Sequence, residues 1–296
     1  MSDTKRNTQD LLKKVRKIEI KTRGLSNQIF SGEYHSAFKG RGMAFSEVRD
    51  YQVGDEIRTI DWNVTARFNH PYVKVFEEER EMTVMLLVDM SGSKNFGSKK
   101  QIKQELVTEI CAVLAFSAIQ NNDKVGVIFF SDQIEKFIPP KKGKSHILMI
   151  IRELINFRPE HQGTDIKEAL RYFSLAIKKR CTAFLISDFL ADDFLSTLRI
   201  TNKKHDLVAL QIYDQREIEL PNVGLIQIKD AESDHYKWFD SSSKKNRMLY
   251  KTEALKKQAS IADQLRKSGV DHVKVGTHQS YIQPLMNLFK RRESRR

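Results

Sequence analysis

The sequence has few cysteines and prolines and no long hydrophobic run. Among its 296 residues are two cysteines, 70 positions apart, and six prolines. Two such distant cysteines cannot form a disulfide framework, so we expect a reducing compartment. The longest strongly apolar stretch, residues 84–88, is far shorter than the ~20 residues that cross a bilayer, and the polar start lacks the apolar core of a secretory signal. We therefore expect a cytoplasmic protein without a membrane span.

Several catalytic signatures are also missing from the sequence. It contains no His-Glu-x-x-His and no Gly-x-Ser-x-Gly, and its histidines are scattered. Gly143-Lys144-Ser145 resembles the end of a phosphate-binding loop, but Ile138 stands where that motif needs its first glycine. These gaps argue against a zinc hydrolase, a serine hydrolase and a nucleotide-binding enzyme. We expect a protein that is not an enzyme.

Positive charge is concentrated at the two ends of the chain. The formal net charge is +13, with +5 in residues 1–30, +10 in residues 241–296 and −2 between them. A nucleic-acid binder gathers its cations on one working face. The observed distribution favours solvated ends, and we expect no nucleic-acid partner.

The middle of the chain alternates apolar runs with amphipathic segments. Residues 84–88, 125–130, 183–186 and 207–212 are continuously apolar, which is typical of strands buried on both faces of a parallel sheet. The pattern predicts an α/β fold, with a doubly wound, mostly parallel sheet of Rossmann type. We place this domain at residues 81–296, with a C-terminal helical extension, after an N-terminal helix and β-rich segment at residues 1–80. Residues 133–139 are predicted as an edge strand that Pro139-Pro140 ends.

Three loops at the predicted strand ends carry oxygen ligands. Asp89, Ser91 and Ser93 follow the first apolar strand, Thr164 opens a helix, and Asp188 follows a third strand. Ligands bind at the carboxyl edge of such sheets, and oxygen-only donors suit Mg²⁺ or Mn²⁺. The alternative is that these residues are only helix caps and turn residues. We favour the metal site because three separate loops carry the right atoms.

The order of these five residues resembles the metal-ion-dependent adhesion site of the von Willebrand factor A domain. The resemblance implies that Ser91, Ser93 and Thr164 offer hydroxyls to the ion, while Asp89 and Asp188 act directly or through water. It also implies that a carboxylate of a partner protein fills the open coordination position.

A narrower resemblance covers most of the chain. Residues 40–51 lead into Gly54-Asp55-Glu56-Ile57-Arg58-Thr59-Ile60-Asp61-Trp62, and residues 280–285 lie near the end. These segments are similar to the bacterial domain-of-unknown-function family 58, which joins such a segment to an adhesion-type domain. This likeness implies a MoxR-type AAA+ ATPase, or its client, as the partner.

The polar segment between residues 54 and 67 has two interpretations. Asp55, Arg58, Asp61 and Arg67 are predicted to form a charge-assisted network, with Trp62 as the apolar anchor. The alternative is that these five residues form a partner-binding face. We place the structural interpretation slightly ahead, because Gly-Asp turns and paired charges are ordinary features of a scaffold.

The sequence thus leads to a metal-ion-dependent protein-interaction module, working as an adaptor with a MoxR-type AAA+ ATPase in a chaperone-like complex. The alternative from another class is a metal-assisted phosphoester hydrolase, for which Asp165 and Asp132 are the candidate general bases.

Overall fold

The computed structural model describes residues 15–22, 24, 43–78, 81–92, 103–161, 163–191, 193–229 and 236–295. Its contacts divide the chain into two compact units, one formed by Lys39–Met82 and the other by Met1–Phe38 together with Thr83–Arg296.

The smaller unit is an antiparallel pair of strands with two short helices between them. Strand β1 is Met43–Asp50 and strand β2 is Tyr72–Glu78, and they pair from Met43 opposite Glu78 to Asp50 opposite Tyr72. A 3₁₀ turn (Ile57–Thr59) and helix α1 (Trp62–Phe68) lie between them. Asp61 caps α1 by accepting hydrogen bonds from the next turn's backbone N–H groups.

The larger unit alternates strands and helices. Its elements in chain order are β3 (Thr83–Asp89), α2 (Lys103–Gln120), β4 (Lys124–Phe130), β5 (Ile134–Lys141), α3 (Lys144–Asn156), α4 (Ile166–Ala176), β6 (Thr182–Ser187), α5 (Leu195–Lys204), β7 (Asp206–Tyr213), a 3₁₀ turn (Gln215–Glu217), β8 (Leu225–Lys229), β9 (Tyr236–Asp240), α6 (Lys244–Lys267), β10 (Asp271–Gly276) and α7 (Ile282–Glu293).

The central sheet has six strands in the order β10-β7-β6-β3-β4-β5. All neighbouring pairs are parallel except β4 with β5. The protein is therefore a mixed α/β structure with a central, mostly parallel sheet, as the apolar runs predicted.

The edge strand β5 does not end at its prolines. It runs through Pro139-Pro140 to Lys141, which is opposite Val125. The register shifts between Val125 and Val127, and an irregularity at a sheet edge is where proline is tolerated in a strand. The expected stop at residue 139 is wrong for this reason.

Both faces of the sheet are covered. Met85 and Leu87 of β3 join a buried cluster that includes Ile166, Leu170 and Phe173 of α4. The alternating positions of β3, Leu86 among them, point to the other face and are also fully buried. Because both faces of the sheet are buried, its polar residues are placed mainly at the strand ends, where the loops begin.

Two terminal segments pack on the larger unit. Residues 15–22 are helical; Lys21 pairs with Glu109 of α2 at 2.6 Å, and Glu19 pairs with Lys144 at 2.6 Å. At the other end, Arg292 of α7 pairs with Asp206 and with Asp271. The basic C-terminal end is therefore not only a solvated tail.

The two-stranded antiparallel hairpin β8–β9 has no counterpart in the sequence analysis. No helix among the described residues is long and apolar enough to cross a membrane.

Candidate functional site

The loops that carry the predicted ligands meet at the carboxyl edge of the central sheet. Strand β3 lies between β6 and β4, so Asp89 at its end is flanked by the loops that follow both neighbours. Asp89, Ser91 and Asp188 are all buried. Ser93 lies outside the described residues.

Asp89 is fixed by the strand beside it and by its own loop. Its Oδ2 accepts a hydrogen bond from Ser187 Oγ at 2.6 Å, and its Oδ1 accepts one from the backbone N–H of Ser91 at 2.9 Å. Burial, and next the negative charge of Asp188, raise the pKa of Asp89 to about 6, against the lowering effect of the hydrogen bonds from Ser187 and Ser91. Two carboxylates thus repel each other in a site shielded from water.

Thr164 is held beside the loop that follows β4 through its neighbour Asp165. The backbone N–H of Asp165 donates to the carbonyl oxygen of Ser131, just after β4, at 2.7 Å. A Cβ added at Gly163 would lie 3.3 Å from the Cβ of Asp132. The loop that follows β3 is also held to β4, because the Met90 N–H donates to the carbonyl oxygen of Phe130 at 2.7 Å. The predicted ligands therefore come from the ends of adjacent strands.

A buried lysine contacts the second carboxylate. Lys103 Nζ lies 3.2 Å from Asp188 Oδ2 and also pairs with Glu217 Oε1. Burial alone would lower the pKa of Lys103, but the charges of Asp188 and Glu217 outweigh it and raise that pKa. The lysine is therefore an ammonium ion inside the site.

The network continues to the next two strands. Gln211 of β7 donates to the Asp188 carbonyl oxygen at 3.2 Å, and its own Oε1 lies 3.1 Å from His272 Nε2. Asp214 and Glu217 form a capping box on the turn after β7, and Thr277 donates to Asp214. The carboxyl edge of the sheet is thus hydrogen-bonded from β4 to β10.

The charges and donors of this edge fit a divalent cation. Asp89, Asp188 and Glu217 with Lys103 carry a formal charge of −2 when all four are ionised, and buried charge of one sign calls for a counterion. Within the described parts of the chain no three His, Cys, Asp or Glu side chains are grouped to hold a metal. An ion here would therefore also use the hydroxyls of Ser91 and Thr164, as the sequence predicted.

In the smaller unit, the charged residues of the predicted network have other partners. Asp55 forms a two-point pair with Arg49, at 2.8 and 2.7 Å. Asp61 caps α1 and lies 3.5 Å from Lys74.

The expectation that Trp62 anchors that segment is wrong, since its side chain is 67% exposed on a helix with no buried residue. Arg58 and Arg67 are exposed as well. The alternative for this segment, a partner-binding face, stays a prediction.

Sequence reasoning missed Lys103, Glu217 and the role of Ser187. The adjacency of Ser187 to Asp188 was a usable signal, because residues just after a parallel strand face the ligand edge. For Lys103 no local signal exists: its partner Asp188 is 85 positions away. A lysine in an amphipathic helix is ordinarily expected on the solvated side.

Comparison with known proteins assigns the family. A "conserved hypothetical protein BatB" from Bacteroides thetaiotaomicron is 14% identical, with 72% of this chain and 99% of that one covered and a TM-score of 0.46. An "aerotolerance-related membrane protein" from Bacteroides fragilis is 14% identical, with 73% and 100% covered and a TM-score of 0.49. "Uncharacterized protein Rv1480" of Mycobacterium tuberculosis is 29% identical over 222 residues, 74% of this chain and 70% of that protein. The model of the family "Protein of unknown function DUF58" matches residues 47–260, and the chain belongs to that family.

Proposed function

We propose that this protein is a metal-ion-dependent protein-interaction module of the von Willebrand factor A type. Asp89, Ser91, Ser93, Thr164 and Asp188 hold Mg²⁺ or Mn²⁺ in this proposal. The bound ion supplies an electrophilic position that a carboxylate of the partner fills. Other groups of the chain position these ligands: Ser187 orients Asp89, and the backbone of β3 and β6 sets the spacing between Asp89 and Asp188.

The observation that carries this proposal is the pair of buried carboxylates at adjacent strand ends. Burial, and next the negative charge of Asp188, raise the pKa of Asp89, so the two carboxylates repel each other in a poorly solvated place. Repelling carboxylates cost folding free energy unless a cation lies between them. Neighbouring hydroxyls at the same edge supply further oxygen ligands.

The partner in this proposal is a MoxR-type AAA+ ATPase or its client, and the protein acts as an adaptor in a chaperone-like complex in the cytoplasm. Membership of the DUF58 family supports the choice of partner only through the resemblance described above. The two cysteines are free thiols, which is consistent with a reducing compartment.

A binding role is better supported than phosphoester hydrolysis. Asp165 is occupied as the cap of α4, where it accepts a hydrogen bond from the Glu168 backbone at 2.9 Å. Asp132 lies 3.3 Å from His161, with half of its side chain exposed. Neither carboxylate therefore has the setting expected of a general base beside the ion.

The proposal is tested by mixing the tagged, full-length protein with the purified MoxR-type ATPase of the same genome. We expect recovery of the ATPase in Mg²⁺ and loss of it in EDTA or with Asp89→Ala. Asp263→Ala, which removes an acidic side chain of α6 paired with Arg266, is the matched control and keeps binding. Recovery that is indifferent to both EDTA and Asp89→Ala contradicts the proposal.

A further inference from the structure

Lys103 is a buried cation whose role the proposed function leaves open. Its side chain is 3% exposed, at the start of the described part of α2. Its Nζ lies between carboxylates of two loops, Asp188 after β6 and Glu217 after β7. Burying a lysine is costly unless it is paired, and here both partners belong to the carboxyl edge of the sheet.

The two bonds of Lys103 are not equivalent for the metal site. Asp188 is a proposed ligand of the ion, whereas Glu217 is a member of the capping box with Asp214. The Glu217 Oε2 accepts the Asp214 backbone N–H at 2.9 Å, so the turn after β7 holds this carboxylate independently of Lys103.

Both oxygens of Asp188 already have partners. Oδ2 contacts the Lys103 ammonium at 3.2 Å, and Oδ1 accepts the backbone N–H of Leu190 at 3.3 Å. A divalent ion that binds the Asp188 carboxylate therefore lies next to the Lys103 ammonium group. The ammonium repels the ion and competes with it for the same oxygen.

We propose that Lys103 is the internal counter-cation of the metal site and sets its affinity by competing with the divalent ion for Asp188. Glu217 holds the ammonium when Asp188 turns to the ion. This inference rests on the metal-binding function proposed above and adds its regulation: the site is weak until a partner carboxylate adds a ligand. Metal and partner then strengthen each other's binding, as linkage requires.

The test is calorimetric titration of Mn²⁺ and of Mg²⁺ into the full-length protein. Lys103→Met removes the competing ammonium, and we expect binding at least about tenfold tighter than in the wild type. Glu217→Gln leaves Asp188 as the one anionic partner of Lys103 within the described residues, so we expect binding at least about threefold weaker. A purely structural role of the bridge would instead weaken binding in both variants.

Lys204→Met is the matched control for the loss of one positive charge. Lys204 Nζ donates to the Ile177 carbonyl oxygen at 3.0 Å, and Lys204 ends α5 just before β7, at the opposite edge of the sheet. We expect the same metal affinity as in the wild type. A gain as large as that of Lys103→Met would show that net charge alone acts, and would overturn the inference.

The remaining outcomes separate the two proposals. If the wild type binds the ion and Lys103→Met binds it equally or more weakly, the role of Lys103 is overturned but the metal site is kept. No binding by any variant overturns the metal site, and the inference with it. If Lys103→Met does not fold, the polar neutral variant Lys103→Gln replaces it: tighter binding supports the competition, and equal or weaker binding overturns it.

Discussion

Ser187 connects the backbone of β6 to the carboxylate of β3. Its Oγ donates to Asp89 at 2.6 Å and accepts the Phe189 backbone N–H at 3.0 Å. One buried hydroxyl therefore satisfies two polar groups that water does not reach. Phe189 itself has a positive φ of 59°, so the turn after β6 depends on such local bonds.

Removal of the Ser187 hydroxyl should lower the stability of the protein. Ser187→Ala leaves Asp89 and the Phe189 N–H with one partner fewer, and we expect the free energy of unfolding to fall by about 1–3 kcal/mol. Urea unfolding monitored by circular dichroism measures it. Ser242→Ala, which removes an exposed hydroxyl bonded to Asp240 at 2.6 Å, is the control. Equal stability of Ser187→Ala and the wild type would contradict the geometry.

His205 makes stability depend on pH. Burial, first, and the nearby Lys204 and Arg180 charges lower the pKa of His205 to about 4 from 6.5. The unfolded chain takes up a proton as the pH falls below 6.5, while the folded protein resists protonation until about pH 4. The stabilisation is complete above pH 6.5 and is lost as the pH falls toward 4.

The melting temperature should therefore drop between pH 6.5 and pH 4, and His205→Gln should reduce that drop. Burial lowers the pKa of His272 to about 4 as well, so the double variant His205→Gln/His272→Gln should flatten the profile further. Profiles that run parallel to the wild type in both variants would show that these histidines do not drive the acid sensitivity.

On the scale of the elements, strand β4 is closely packed at its glycine, Gly126. A Cβ added at Gly126 would lie 2.7 Å from Met85 Sδ and 2.9 Å from the Pro140 nitrogen. Glycine is needed here because β3 and the irregular edge strand β5 both approach the backbone of β4.

Gly126→Ala should lower the free energy of unfolding by about 1–3 kcal/mol, because the methyl group overpacks this contact. Chemical denaturation measures the change. Gly24→Ala is the control, since a Cβ there meets nothing within 4 Å. The account of this contact is wrong if Gly126→Ala is as stable as the wild type.

The four core strands were predictable because a strand that is buried on both faces needs a continuous run of apolar residues. Gly269, with φ of 70°, follows the last helical turn of α6, where a glycine in the left-handed conformation commonly ends a helix. The β8–β9 hairpin was not predictable in this way: it has only two strands, and Leu225 and Trp238 are exposed on it. Part of the site was predictable, because the acidic and hydroxyl residues that follow the strands can be recognised in the sequence. The buried ion pairs of Lys103 could not be predicted in this way.

On the scale of the whole molecule, the smaller unit exposes residue types that are common at protein interfaces. Trp62, Arg58 and Arg67 are exposed there, and Trp and Arg are the residue types that most often dominate binding energy at protein interfaces. The site at the sheet edge and this surface are two separate candidates for contact with the proposed ATPase.

Trp62→Ser should reduce recovery of the MoxR-type ATPase by about tenfold, without lowering the melting temperature, since truncation of a central interface tryptophan costs 1 kcal/mol or more. Trp238→Ser is the control, because Trp238 is 64% exposed on β9 of the larger unit. Equal losses in both variants, or none with Trp62→Ser, would count against this surface.

The central claim is that adjacent strand ends of one sheet hold a divalent ion. Anomalous X-ray scattering at the manganese edge, from crystals grown in Mn²⁺, tests it most directly. We predict a peak between the carboxylates of Asp89 and Asp188, within bonding distance of the Ser91 hydroxyl, and no such peak in crystals of Asp89→Ala. A wild-type map with no anomalous density at this edge would contradict the account.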